Sequence, residues 1–285
     1  MLNRKVNNRP EGENILCSNI LGEKNEKHII ILHGLYGCAD SWKNIGEYLS
    51  AGFCVHLLDM RNHGNSFHND SHTYEDMVQD LLEYSHFHKL SRFSIIGHSM
   101  GGKTAMFFAD KYPELTDKII VTDISPRNYK SLTENEPIVN FHLNLISVMK
   151  NMNISSLASY SEIEALLTSQ DKNIKNLILK NLKKKDGKFS WRININSLSN
   201  NLGNILSGMD PDDYIENKIH IKTLFIKTSD SNYINNNDKK LINFIFLNSE
   251  IIEIPDAGHW IHIEQPELLK MEISKFLNAD DKKLQ

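Results

Sequence analysis

Six short runs of the chain are nearly unbroken in apolar residues: HIIILH (28–33), CVHLLDM (54–60), RFSIIG (92–97), KIIVTDI (118–124), IKTLFIK (221–227) and IIEIP (251–255). Runs of that length without alternation suit strands buried on both faces, as in a parallel sheet covered on each side. Most are separated by stretches whose apolar residues recur at helical spacing, namely SWKNIGEYLSAG, YEDMVQDLLEYSHFHKL, GGKTAMFFADKYP and KKLINFIFLN. Strand and helix in alternation imply right-handed βαβ units and a mostly parallel central sheet with helices on both faces. Upstream, NILCSNILGEKNEKHIII reads as an antiparallel strand pair feeding the sheet.

One interval breaks the alternation. Residues 126–220 offer no convincing strand, only amphipathic segments such as IVNFHLNLISVMK, YSEIEALLTS and NIKNLILKNLKKK. They read as a helical cap inserted between two sheet strands, over the carboxyl ends where open α/β sheets bind ligands. The division expected is a loose tail over 1–13, a core of 14–125 and 221–278, the cap at 126–220 and a second tail at 279–285. The basic run KNLKKKDGK reads as a solvated cap face.

At 285 residues, with 40% hydrophobic and 24% charged residues, the chain is long enough for one α/β domain with an insertion. A net charge of −4 argues against a nucleic-acid or membrane surface as the main partner. No stretch is long enough to span a bilayer. Three cysteines without C-x-x-C spacing fit a reducing compartment, so a cytoplasmic location is expected. A mitochondrial matrix location is the alternative for a eukaryotic source; the basic N-terminus could serve as a short transit peptide, though Glu11 and Glu13 favour a loose tail.

The stretch SIIGHSMGGKTAMFF (94–108) changes character in its middle, from buried strand to exposed turn to helix. GHSMG matches G-x-S-x-G in the strand-to-helix context that gives the motif meaning. Gly97 and Gly101 remove the Cβ atoms that would collide in so sharp a turn, and Ser99 is left exposed beside a helix N-terminus. A hydroxyl is a poor nucleophile near neutrality and needs a base and donors for the oxyanion. HGLYG (33–37) follows a strand directly and offers the Leu35 N–H, while Met100 offers the N–H just after the serine. Among thirteen histidines, His259 in DAGHWIHIEQPE lies on the loop after the last strand. His262, one turn on, lacks further ligands at metal spacing, so no metal is expected there.

The chain resembles the α/β-hydrolases, and within them the YbfF-type esterases and their mitochondrial relatives. The matching segments are HGLYG, DMRNHGNS (59–66), GHSMGGKTAM, VTDISP (121–126), DGKFSWRIN (186–194) and AGHWIHIEQP, spanning about His28 to Phe276. The resemblance implies hydrolysis of carboxylic esters or acyl thioesters such as acyl-CoA through an acyl-enzyme, without metal or organic cofactor. The family's chain order, Ser then acid then His, assigns Ser99 and His259. The subgroup's acid corresponds to Asp123. The wider family places it after the strand IKTLFIK, where this chain has KTSDSNYI, so Asp230 is the alternative; Ser231 falls on a serine of the subgroup and is counted among the substrate-binding positions. Trp191 and Arg192, in the cap, are further candidates, the arginine for phosphate groups of a CoA substrate. The expected partner is a small ester or thioester, with the protein a monomer or dimer. A ligand-binding receptor or partner-stabilising protein on the same scaffold, or a carbon–carbon bond hydrolase, could keep the same triad.

Overall fold

The computed structural model describes residues 14–131, 136–168 and 170–279. The tails expected at 1–13 and 279–285 lie outside the described residues, apart from Ala279. Among the described residues nine strands are formed: β1 Ser18–Leu21, β2 His28–Leu32, β3 Cys54–Leu58, β4 Phe93–His98, β5 Thr116–Thr122, β6 Leu182–Lys185, β7 Lys188–Trp191, β8 Lys222–Thr228 and β9 Ser249–Ile254. Seven build one sheet in the order β1-β3-β2-β4-β5-β8-β9, parallel throughout except for β1.

Both faces of the central strands β2 to β5 are buried, and their residues alternate between two apolar layers. Ile29, Ile31, Val55, Leu57, Ile96 and Ile120 face one layer, closed by α1 (Lys43–Leu49) and α11 (Pro266–Leu277). Ile30, Leu32, Leu58, Ile95, Ile119 and Val121 face the other, closed by α2 (Tyr74–Phe87), α3 (Met100–Lys111) and α9 (Asn236–Ile245). Double burial is why these strands read as continuous apolar runs rather than as alternating ones. α2 and α9 each begin with a reciprocal capping box, Thr73 with Asp76 and Asn235 with Asp238.

Two expectations change. The N-terminal segment is not a hairpin, since β1 pairs antiparallel with β3 (Ser18 opposite Leu58) and not with β2. Both edges of β2 are occupied, by β3 and β4, so the free edge of β3 is where β1 can join. The insertion is not free of strands either. Its helices are α4 (Pro137–Asn151), α5 (Tyr160–Leu166), α6 (Lys172–Lys180), α7 (Ile195–Asn200) and α8 (Leu202–Ile205), and between α6 and α7 lies the β6–β7 hairpin. Its two-residue turn is Asp186-Gly187, both at positive φ (51° and 79°), the geometry an Asp-Gly pair favours. Lys183, Lys184, Lys185 and Lys188 are exposed on it, in keeping with a solvated basic face.

The insertion leaves the sheet after β5, returns before β8 and touches the loops at the carboxyl ends. Asn181 Nδ2 donates to the Tyr36 carbonyl (2.8 Å), the Asn194 N–H to the Asn62 carbonyl (2.9 Å), and His142 Nε2 lies 3.2 Å from the Tyr233 hydroxyl. Among the described residues no helix is long and apolar enough to cross a membrane. The short helix α10 (Ile261–Glu264) precedes α11.

Candidate active site

Ser99 stands between β4 and α3, at the position that would cap the helix. A serine there ordinarily accepts a hydrogen bond from an N–H of the first turn. Ser99 makes none: its backbone, at φ 52° and ψ −116°, leaves the hydroxyl uncommitted to the helix it precedes. Gly97 makes the turn possible, because a Cβ there would run into the Gly101 carbonyl and come within 2.6 Å of the Gly102 Cα. The loop after β2 approaches from the other side. A Cβ on Gly34 would lie 2.6 Å from His98 Nδ1 and 3.2 Å from the Ser99 Cβ, so only glycine lets this loop so close to the serine. Leu35 follows on that loop and Met100 opens α3, which puts both proposed donors in segments bordering Ser99.

Three residues from three loops hold positive φ here: Tyr36 (63°), Ser99 (52°) and Asp123 (49°). Each costs on the order of 1 kcal/mol or more and persists only where the surroundings over-determine it. Buried histidines do much of that. His33 Nδ1 donates to the Gly34 carbonyl (2.8 Å) while its Nε2 accepts from the Met60 N–H (3.0 Å). His63 Nδ1 donates to the Arg61 carbonyl (2.8 Å) while its Nε2 accepts from the Tyr36 N–H (3.2 Å). Burial pushes His33 down and His63 well below the ordinary histidine range, so both stay neutral and keep one donor and one acceptor each.

Asp123 directly follows β5 and is fully buried. Its Oδ2 accepts from His259 Nδ1 (2.8 Å) and the Ser231 hydroxyl (2.5 Å). Its Oδ1 accepts from the Thr228 hydroxyl (3.0 Å) and N–H (3.4 Å). A carboxylate only accepts, so the Nδ1 of His259 carries a proton toward it, and in the neutral ring Nε2 is the bare nitrogen. The His259 ring stacks on Tyr233 (4.0 Å between ring centres, 19° between planes), and its carbonyl accepts from His98 Nε2 (2.7 Å). His98 thus ties the residue next to Ser99 to the loop that carries His259.

The structure therefore brings Asp123, His259 and Ser231 together, beside the elbow that carries Ser99. Asp230 is exposed and accepts from the Ser229 hydroxyl (2.8 Å). Ser231 turns its hydroxyl onto Asp123. Trp191 and Arg192 end the cap hairpin, both half-buried: Trp191 packs on the apolar layer under the cap, and the Arg192 N–H donates to the Asn181 carbonyl (2.7 Å). A cavity of about 130 Å³ opens beside the elbow, with Leu35, Tyr36, Trp42, Leu177, Trp260 and His262 among its walls. Thr228 and Tyr233 are additions the sequence did not mark. Thr228 is readable only once β8 is known to lie beside β5, with Ile226 opposite Thr122.

His262 has a different environment from His259. It stacks on Trp42 (4.7 Å, 19°), is buried, and is drawn down to about 3 chiefly by that burial. His262→Ala is expected to lower turnover only a few-fold, against orders of magnitude for His259→Ala. Steady-state rates of the two variants side by side check this, and an exchange of the two effects would overturn the assignment.

His56, His72, His142 and His262 are all pushed from 6.5 to about 3, in each case first by burial. Between those values the unfolded chain binds more protons than the folded one, so stability is present above pH 6.5 and falls as pH is lowered. Melting temperature measured from pH 8 downward is expected to drop steeply below about 6.5. A flat profile to pH 4 would show that these histidines charge without unfolding the protein.

A family model described as the alpha/beta hydrolase fold matches residues 27–266. The chain belongs to the α/β-hydrolase family. Its similarity runs to esterases and lipases. The sn-1-specific diacylglycerol lipase ABHD11 of Danio rerio is 36% identical over 253 residues, which are 86% of this chain and 76% of the relative. Esterase YbfF of Escherichia coli (strain K12) is 26% identical over 267 residues, 93% of this chain and 98% of the relative. A solved structure, a marine microorganism esterase, is 38% identical with a TM-score of 0.87, covering 93% of this chain and 100% of that one. This α/β hydrolase is thus of the esterase and lipase type, as its motifs led one to expect.

Proposed function

We propose that this hydrolase is a serine esterase working through an acyl-enzyme, with Ser99 as nucleophile, His259 as base and Asp123 as the orienting acid. The observation that carries the reading is the 2.8 Å contact of His259 Nδ1 with the buried Asp123 carboxylate, next to a serine held out of its helix cap. His259 Nε2 takes the Ser99 proton as the hydroxyl attacks the ester carbonyl, and Asp123 stabilises the imidazolium. The N–H groups of Leu35 and Met100 hold the oxyanion, each contributing roughly 3 kcal/mol when well aimed. The proton then passes to the leaving alkoxide or thiolate, and water, activated by the same histidine, releases the acid.

The test is an active-site phosphonate together with esters, acyl-CoA thioesters and a diacylglycerol emulsion of graded chain length. Stoichiometric labelling of Ser99 with multiple turnover supports the esterase. Labelling without turnover on any acyl substrate would favour a receptor or a carbon–carbon hydrolase.

Acyl-CoA as a substrate class adds a role for Arg192. Its N–H is bonded to Asn181, whose Nδ2 in turn donates to the Tyr36 carbonyl of the loop beside Ser99, so the cap reaches the elbow at this residue. Arg192→Ala is expected to raise KM several-fold for an acyl-CoA and to leave a neutral ester of the same acyl chain unchanged. Equal effects on both remove the phosphate role.

A further inference from the structure

At the end of the sheet opposite Ser99, a thiol and two imidazoles converge. His28 opens β2 and Cys54 opens β3, and the register sets them opposite each other. His56 lies two residues beyond Cys54 and therefore on the same face of the strand. The three donor atoms all lie within 4.8 Å of one another, with His56 Nε2 at 3.1 Å from His28 Nδ1 and 3.6 Å from Cys54 Sγ. Tetrahedral zinc with bonds of about 2.0 Å to nitrogen and 2.3 Å to sulfur separates two nitrogens by about 3.3 Å and a nitrogen from a sulfur by about 3.5 Å. The two contacts of His56 are within a few tenths of an ångström of those edges.

The protonation of His56 fits as well. Its Nδ1 lies 2.8 Å from the Tyr84 hydroxyl, which in turn donates to the Ser18 hydroxyl (2.8 Å). Tyr84 has one proton and gives it to Ser18, so Nδ1 of His56 must be the donor and Nε2 is a bare lone pair aimed at His28 and Cys54. A ligating histidine whose other nitrogen donates to a fixed acceptor is the usual outer support of a metal site. Burial keeps His56 neutral, at about 3, and lowers His28 as well. Cys54 and His56 are buried, while His28 is half-open to solvent and gives a cation a way in. His88, whose ring centre is 5.5 Å from that of His56, stands at the same opening.

We infer that His28, Cys54 and His56 form a binding site for a borderline divalent cation of the zinc class, separate from the hydrolytic site. One thiolate and two imidazoles suit zinc or cobalt and disfavour magnesium or calcium, which take oxygen ligands. Binding exchanges the Cys54 S–H bond for a sulfur–metal bond and releases one proton to solvent. His28 moves its ring proton to Nε2 so that Nδ1 can ligate. The bound ion clamps the amino ends of β2 and β3.

The full chain without a histidine tag is titrated with Co²⁺ and followed by absorption. One equivalent is expected to give the visible bands of tetrahedral cobalt and a thiolate-to-cobalt band in the near ultraviolet, both displaced by Zn²⁺ and not by Mg²⁺. Cys54→Ser is expected to lose the thiolate band, and His28→Ala, at a half-exposed position that leaves the core intact, to weaken binding about tenfold or more. Zn²⁺ is expected to raise the melting temperature of the wild type and not of His28→Ala. The inference is overturned by the absence of saturable binding, by a thiolate band that follows Cys38→Ser instead, or by full affinity in His28→Ala.

Discussion

Ser99→Ala is expected to abolish ester hydrolysis, by on the order of 10⁴-fold or more, while the protein stays folded. The nucleophile and its base act as a unit, so what survives is only the contribution of substrate binding and oxyanion donors. The fold is expected to tolerate the change because the Ser99 side chain makes no capping bond to α3. Alanine also needs the same positive φ, a strain the wild-type serine already bears at 52°. Turnover of a short-chain ester, with melting temperature and phosphonate labelling on the same preparations, measures all three consequences. Turnover within tenfold of wild type in a folded variant would mean that Ser99 is not the nucleophile.

The core was legible because double burial leaves an unmistakable trace. Ile29, Ile30, Ile31 and Leu32 must each meet an apolar layer, and such a run has few alternatives to a central parallel strand. The elbow was legible because its sterics demand glycine at 97, a requirement that survives any change in surface composition. What sequence left open depends on which strands become neighbours. NILCSNIL has the right residues for an edge strand, but its partner is set by the edge of β3 that β2 leaves free. The β6–β7 hairpin escaped attention because three of its four first-strand residues, Lys183, Lys184 and Lys185, are exposed lysines, and the Asp-Gly turn was the signal that could have found it. Thr228 meets Asp123 from a strand end more than a hundred residues away, and Tyr233 meets His259 from a polar loop. No local pattern joins either pair.

The choice of acid has the second large expected effect. Asp123→Asn is expected to lower turnover by on the order of 10³- to 10⁴-fold, and Asp230→Asn to leave it within twofold of wild type. An asparagine at 123 can keep its carbonyl oxygen on the Thr228 hydroxyl and N–H, the Oδ1 contacts of the wild type. It then presents an NH₂ group toward His259 Nδ1 and the Ser231 hydroxyl, where the carboxylate had accepted two bonds. That group favours the tautomer with the proton on Nε2, which cannot accept the proton of Ser99. It also removes the charge that stabilises the imidazolium. Asp230, exposed and bonded to Ser229, offers His259 neither effect. The two variants should be assayed under identical conditions, with melting temperatures to show that Asp123→Asn is folded. If the Asp230 variant loses activity by orders of magnitude while the folded Asp123 variant keeps most of its own, the proposed triad has the wrong acid.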